Sequence, residues 1–355
     1  MNYLKLALVP LLWSGIALAA QSPASSRNAQ AKSHGPLQVY FIDVEGGQAT
    51  LFVGADGESL LVDTGNPGTR DAERITAVCK QAGVTKIDNV VITHYHADHV
   101  GGMPALVAAI PIGRFIDHGV NRESEADFGG AYTVKSWNAY QKALEGSHTE
   151  HLVVKPGDIL PIKAFRAEVV CADGQLIQNP LPGAGEKNAA CDNSPLKDIE
   201  NNENDRSVGM VITFGKLRIL DLGDLTWGEE RRLMCPVDKL GKVDIYLASH
   251  HGLDRSGSPA LVKAIAPRVV VIENSARKGA VPTTFETVEG SSRLKDLWQL
   301  HVAEGNDAKH NTAESRIANL TGPDTGNPLK LTAREDGTFS VTNTRTQETV
   351  EYSAQ

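Results

Sequence analysis

The sequence predicts an α/β fold built of two β-sheets with helices on their outer faces. Three observations point to it. Strand-like segments come in two consecutive blocks, Leu37 to Val62 and Ser207 to Asp221, and each block gives way to alternating strand and helix. No period of roughly 20–50 residues runs along the chain, which argues against a solenoid or propeller. With 355 residues, 41% apolar and 22% charged, the composition is that of a globular protein able to bury a large core.

The first block opens with Leu37 to Ile42, a continuous apolar run, followed by a turn at Asp43-Val44-Glu45-Gly46-Gly47. Ala49 to Val53 and Ser59 to Val62 read as strands around a hairpin turn at Ala55-Asp56-Gly57. Asp71 to Ala82 has helical spacing and stops at Gly83. Asp88 to Thr93 is a short strand, Pro104 to Ala109 a helix, Gly113 to Ile116 a strand and Val134 to Leu144 a helix. Gly174 to Asp205, rich in Asn, Pro, Gly and charge, reads either as a long loop beside the site or as a disordered surface insertion. Order returns with strands at Ser207 to Phe214 and Leu217 to Asp221, a helix at Gly228 to Leu233 and a strand at Val243 to Ala248. A helix at Pro259 to Ala266 and a strand at Val269 to Ile272 come next. Leu329 to Tyr352 alternates like a small meander with a turn at Glu335-Asp336-Gly337.

The N-terminus has the form of a secretory signal: Lys5, an apolar run from Leu6 to Leu18, and the small-residue exit Ala17-Leu18-Ala19. A membrane anchor is the alternative, but the apolar run is short for a span. The expected organisation is a signal peptide at 1–19, a flexible leader at 20–36, a catalytic domain at 37–322 and a C-terminal meander at 323–355 packed on that domain. The expected location is periplasmic or secreted, with no membrane span after cleavage. The net charge of −8 argues against a stable nucleic-acid complex, because an acidic surface repels polyanions. Four cysteines without a C-x-x-C make a Cys-based zinc site improbable. In an exported chain Cys191 and Cys235 form the favoured pair, with Cys79 and Cys171 as buried thiols.

The chemistry centres on His94-Tyr95-His96-Ala97-Asp98-His99, directly after a strand. In extended backbone the side chains at i and i+2 share a face, so His94 and His96 can converge on one metal. Asp98 and His99 follow where the chain bends and can reach a second. Imidazole with carboxylate suits Zn2+, two ions being expected, and also Mn2+ or Fe2+.

With these residues the chain resembles the metallo-β-lactamase superfamily, which carries H-x-H-x-D-H after a strand, an upstream Asp-Thr-Gly, a downstream bridging Asp and a late His. The resemblance implies a four-layer αββα sandwich of two mixed sheets with outer helices. It implies that Asp63, in Val62-Asp63-Thr64-Gly65, orients the cluster, and that Asp224, in Leu222-Gly223-Asp224, bridges the metals. In Ser249-His250-His251-Gly252, His251 fits the late ligand, with His250 as the alternate. Asp98 would also steer the nucleophile. Within the superfamily the chain is similar to the soluble hydrolase domain of the DNA-uptake protein ComEC, over about Leu37 to Ile272. The matching pieces are Phe41-Ile42-Asp43-Val44, Asn204-Asp205-Arg206-Ser207 and Leu220-Asp221-Leu222-Gly223-Asp224. It departs at Glu45 and Gln48, where that group often has a Gly-Gln-Gly-Asp-type turn.

One element of the pattern has no obvious counterpart, a further ligand to the first metal; His118, His148, His151 and Asp173 are the candidates. His118, Arg206, Arg277 and Lys278 are candidate substrate contacts, each also readable as an ordinary surface charge. His301 and His310 flank an irregular segment. Trp227 and Trp298 read as core anchors. Gly101 and Gly102 would let the next helix approach the metals closely. The expected function is metal-dependent hydrolysis, first of phosphodiester bonds. The alternative is a cyclic amide, lactone or other ester, and a third reading is a non-catalytic metal- or ligand-binding relative.

Overall fold

The computed structural model describes Met1, Tyr3 and residues 35–354. The signal peptide and nearly all of the leader expected over 1–36 lie outside the described residues.

Short apolar runs broken by turns build the first half. β1 (Leu37–Phe41), β2 (Thr50–Val53) and β3 (Ser59–Val62) pair antiparallel, Tyr40 opposite Leu51 and Leu51 opposite Leu61. Helix α1 (Arg70–Gln81) leads to β4 (Asn89–Val91), which joins β3 in parallel. Helices α2 (Ala97–Val100) and α3 (Met103–Ala109) precede β5 (Arg114–Asp117), and α4 (Gly130–Ser147) precedes β6 (Glu150–Val153).

The second half repeats the scheme. β7 (Arg166–Ala172), β8 (Gln175–Leu176), β9 (Gly209–Phe214) and β10 (Leu217–Asp221) are antiparallel. Then α5 (Trp227–Met234), β11 (Ile245–Leu247), α6 (Pro259–Ile265), β12 (Val269–Ile272), α7 (Pro282–Glu289), β13 (Asp296–His301) and β14 (Ile317–Asn319) follow, the strands parallel to β10. The tail forms β15 (Leu329–Ala333), β16 (Phe339–Asn343) and β17 (Thr349–Tyr352).

Two mixed sheets result, ordered β17-β16-β15-β1-β2-β3-β4-β5-β6 and β14-β13-β12-β11-β10-β9-β7-β8. The tail meander extends the first sheet beyond β1, Val39 opposite Leu331. A central core fills the space between the sheets, with Phe41, Phe52 and Val62 from one and Met210, Ile219, Val271 and Trp298 from the other. A second core lies under α1, α3 and α4, where Ile75, Leu106 and Tyr140 cover Leu51, Val90 and Phe115. A third lies under α5, α6 and α7, where Leu233, Leu261 and Phe285 cover Leu220, Tyr246 and Val270. Burial on both faces explains why β12 reads Val-Val-Val-Ile without alternation. The four layers are therefore helix, sheet, sheet, helix, as expected.

Several elements went unread. α7, β13 and β14 lie in a stretch whose local pattern is weak, and tertiary packing supplies their order. The Gly174 to Asp205 stretch is a packed loop carrying two short 3-10 turns, Ala189–Asn193 and Asn204–Arg206. A disulfide joins Cys191 to Cys235, while Cys79 and Cys171 are buried free thiols. No helix among the described residues is long and apolar enough to cross a membrane.

Candidate metal centre

All the cluster residues sit just past the carboxyl ends of strands at one edge of the sandwich. Asp63 follows β3, His94 follows β4, Asp224 follows β10, and His250 and His251 follow β11. Parallel strands end together at that edge, which is where loops can converge. The backbone is held in unusual conformations there: Asp63, His250 and His251 all have left-handed φ, at 60°, 55° and 58°. Such residues persist only where their surroundings compensate the strain. Gly102 packs so tightly that a Cβ would lie 2.1 Å from the Thr64 carbonyl, which explains the small residue after the cluster.

Asp98, His99, Asp224 and His251 present ligand atoms that all lie within 4.8 Å of one another. His99 Nε2 is 3.2 Å from Asp224 Oδ2 and 3.5 Å from Asp98 Oδ2. His251 Nε2 is 3.2 Å from both Asp98 Oδ2 and His99 Nε2. His250 also reaches Asp224, at 3.4 Å, so both late histidines face that carboxylate, His251 from within the tight group. His94 Nε2 is 3.8 Å from Asp224 Oδ2, the oxygen that His99 and His250 also approach.

The outer ring nitrogens are braced. Asp63 Oδ2 lies 2.7 Å from His99 Nδ1 and accepts the Thr93 hydroxyl at 2.6 Å, and Asp63 Oδ1 accepts the Thr93 N–H at 2.7 Å. Thr93 Oγ1 is in turn 3.1 Å from His94 Nδ1. His96 Nε2 is 3.2 Å from Glu123 Oε1, whose carboxylate also accepts the Glu203 N–H at 2.9 Å. Fixing one ring nitrogen turns the other toward the centre, the usual support for a ligating histidine. Glu123 was not legible in the sequence; it lies in a turn with no motif, and only the fold brings it to His96.

The electrostatics fit a divalent cation. Burial opposes ionisation of Asp98 and Asp224, but the neighbouring charges outweigh it: His99 and Lys278 for Asp98, His250 and His99 for Asp224. Both carboxyls are thus held well below their ordinary range. Burial likewise opposes charge on His99, yet Asp224, Asp98 and Asp63 pull its pKa well above the usual value. Burial and the Lys278 charge push His251 down to about 4. Two ionised carboxylates among imidazoles therefore draw a proton onto His99, and a metal ion would displace that proton. His94 Nε2 and Asp224 Oδ1 are buried without any hydrogen-bond partner, a cost a coordinated ion removes. The donor set suits zinc, manganese or iron.

The remaining candidates separate cleanly. Lys278 Nζ contacts Asp98 and belongs to the centre. His118 does not: its side chain is fully buried and its Nε2 lies 3.0 Å from Glu203 Oε2, which corrects the expectation of a substrate contact or ligand there. Arg206 bonds Asp173 and Asn201 behind the site, and Arg277 is exposed beside Glu304, so neither reaches the centre. His148 ends α4, His151 bonds Asp117 and Asp173 is tied up by Arg122 and Arg206. None of them supplies the further ligand. His301 pairs with Asp43 and His310 with Asp307, both away from the cluster. Trp298 is a core residue, with its Nε1–H donating to Tyr352 Oη, whereas Trp227 is a partly exposed ring under Lys197.

A cleft of about 750 Å³ opens beside His96 and Asp98, lined on its far sides by Arg122, Phe128, Tyr132, Asn204 and Arg255.

The four-layer α/β sandwich thus carries a cluster of metal-ligating side-chain types at the ends of its strands. Residues 42–166 match the family model of the Metallo-beta-lactamase superfamily. It is similar to "Lactamase-like protein notP" of Aspergillus sp., 38% identical over 65 residues, 18% of this chain and 20% of that protein. It is similar to Ribonuclease Z of Metallosphaera sedula, 32% identical over 77 residues, 20% of this chain and 25% of that protein. Recombination protein 2 of Haemophilus influenzae is 22% identical over 240 residues, 67% of this chain and 24% of that protein. The chain spans about a fifth of the length of the first curated relatives it matches.

Proposed function

We propose that this chain is an exported zinc-dependent phosphodiesterase acting on a small substrate. The reading is carried by one observation: the compact Asp98–His99–Asp224–His251 group opens on a polar cleft whose lining sets Arg122 and Arg255 beside Glu123, Asp127 and Glu200. Lys278 sits on Asp98, and Arg122 and Arg255 line the cleft, each about half exposed. Such groups suit a phosphodiester's anionic oxygens. The similarity to Ribonuclease Z and, over a longer stretch, to Recombination protein 2 supports the same direction. Export rests on the form of the first twenty residues.

In this reading His94, His96 and Asp224 would hold one ion, and Asp98, His99, Asp224 and His251 a second. Ions bound there supply a water of lowered pKa and polarisation of the phosphoryl group. The residues of the chain do the rest. Asp63 and Glu123 keep His99 and His96 oriented, so that in each neutral ring the proton stays on the braced nitrogen and the inward one is left for coordination. Lys278 Nζ can move from Asp98 to a non-bridging phosphate oxygen and offset its charge. Burial of His99, Asp224 and His251 keeps competing water from most of the cluster.

Purified protein, stripped with chelator and reloaded with zinc or manganese, tests this on a bis-aryl phosphodiester, a chromogenic cephalosporin and an aryl ester. Metal-dependent turnover of the phosphodiester is expected. Turnover of the last two alone would overturn the phosphodiester reading in favour of an acyl substrate. Fewer than one ion bound per chain, with no turnover of any, would support a non-catalytic role.

A further inference from the structure

The cleft beside the metal centre has a composition that metal chemistry does not account for. Phe128 is fully exposed and Tyr132 is 75% exposed, and both line it. Among the described residues neither ring packs on another aromatic ring or under a cation. Gly129, with φ at 80°, turns the chain between them, placing Phe128 just before α4 and Tyr132 in its first turn. Asn204 lines the same cleft, is only 2% exposed, and its Oδ1 has no hydrogen-bond partner. A buried acceptor left unpaired is costly unless a ligand donates to it. Arg122 and Arg255 each keep part of their guanidinium free, being paired on one side only, with Asp173 and Glu200 at 2.8 Å.

We propose that this cleft is a nucleobase subsite, formed by Phe128, Tyr132 and Asn204, and that the phosphodiester cleaved at the neighbouring centre is a nucleotide ester. The inference rests on the phosphodiesterase reading above. A base supplies what these residues lack. Its face stacks on an aromatic ring whatever its identity. Its edge carries an N–H or amino donor for Asn204 Oδ1, which a plain aryl group does not. The arginines, each with part of the guanidinium unpaired, can bond the flanking phosphate or sugar oxygens. The volume, about 750 Å³, holds one or two nucleotides rather than a duplex, in keeping with the acidic net charge of −8.

The test compares two chromogenic esters on the zinc-loaded protein: the para-nitrophenyl ester of thymidine monophosphate and methyl para-nitrophenyl phosphate. The nucleoside ester is expected to have at least a tenfold higher kcat/KM, mainly through KM. The exposed double variant Phe128→Ala/Tyr132→Ala should reduce that ratio at least fivefold, and Asn204→Leu should reduce it independently. Calorimetry with thymidine monophosphate, free of turnover, should show about tenfold weaker binding to the double variant than to the native chain. Equal kcat/KM for the two esters, or a ratio unchanged in the variants, overturns the subsite while leaving the phosphodiesterase reading intact. If neither ester is turned over, that reading fails, and calorimetry alone decides the subsite: binding lost in the double variant supports it, and absent or unchanged binding overturns it.

Discussion

Asp63 Oδ2 lies 2.7 Å from His99 Nδ1, and both side chains are wholly buried. The pair is the hinge between the first sheet and the metal cluster, because Asp63 ends β3 and also fixes Thr93 just past β4. Asp63→Asn keeps the shape but replaces an acceptor with an amide whose N–H₂ faces the Thr93 and His99 donors. Metal affinity should fall about 10–100-fold, as for other carboxylates behind a ligating histidine. Competition with a chromogenic chelator measures it, and an affinity equal to the native protein's would mean that Asp63 does not orient the ligand.

Asp224 faces His94, His99, His250 and His251. Asp224→Ala removes the carboxylate that these four histidines face. Bound metal should drop below one ion per chain by elemental analysis, and turnover should fall at least about 100-fold. Unimpaired turnover would place the reaction elsewhere.

Glu123 predicts a graded outcome. In Glu123→Gln the amide oxygen still accepts from His96 Nε2–H, whereas Glu123→Ala leaves that nitrogen free to rotate or ligate. The Ala variant should lose about tenfold more metal affinity than the Gln variant. Equal losses would show that charge alone matters there.

The pair of Asp43 and His301, 2.8 Å apart, joins the turn after β1 to the end of β13 and gives a pH-dependent term. Burial opposes charge on His301, but the Asp43 hydrogen bond and charge outweigh it and raise its pKa above the ordinary value. A raised histidine stabilises fully below pH ~6.5 and loses that contribution as pH rises through the folded-state pKa. The native Tm should therefore decline as pH rises from about 6.5 through the folded-state pKa and level off above it, and His301→Asn should flatten this part of the profile. An identical profile in the variant would remove the pair as the cause.

Cys191 and Cys235 close a loop 44 residues apart in sequence. Chain-entropy reasoning gives about 4 kcal/mol for a loop of that length. The double variant Cys191→Ser/Cys235→Ser should unfold at markedly lower denaturant concentration. A midpoint within error of the native one would show that the loop is held by packing alone.

How much of this was legible beforehand follows from where each signal resides. His94, His96, Asp98 and His99 lie within six residues, so the motif is visible in the sequence itself. Strand runs such as Val269 to Ile272 declare themselves because burial on both faces demands unbroken apolar sequence. By contrast α7 and β13 have little periodicity of their own, and His118 carries no local mark that its Nε2 is committed to Glu203.

The sequence by itself determined the ligand types, their spacing after a strand, and the sheet-forming runs, since all of these are local properties of the chain. The tertiary structure alone decided that both His250 and His251 face Asp224, that Lys278 reaches Asp98, and that Glu123 braces His96. It also decided that Phe128 and Asn204, 76 residues apart, share one cleft. Those relationships join residues far apart in sequence, and they exist only because parallel strands of two sheets end at the same edge, which no local pattern encodes.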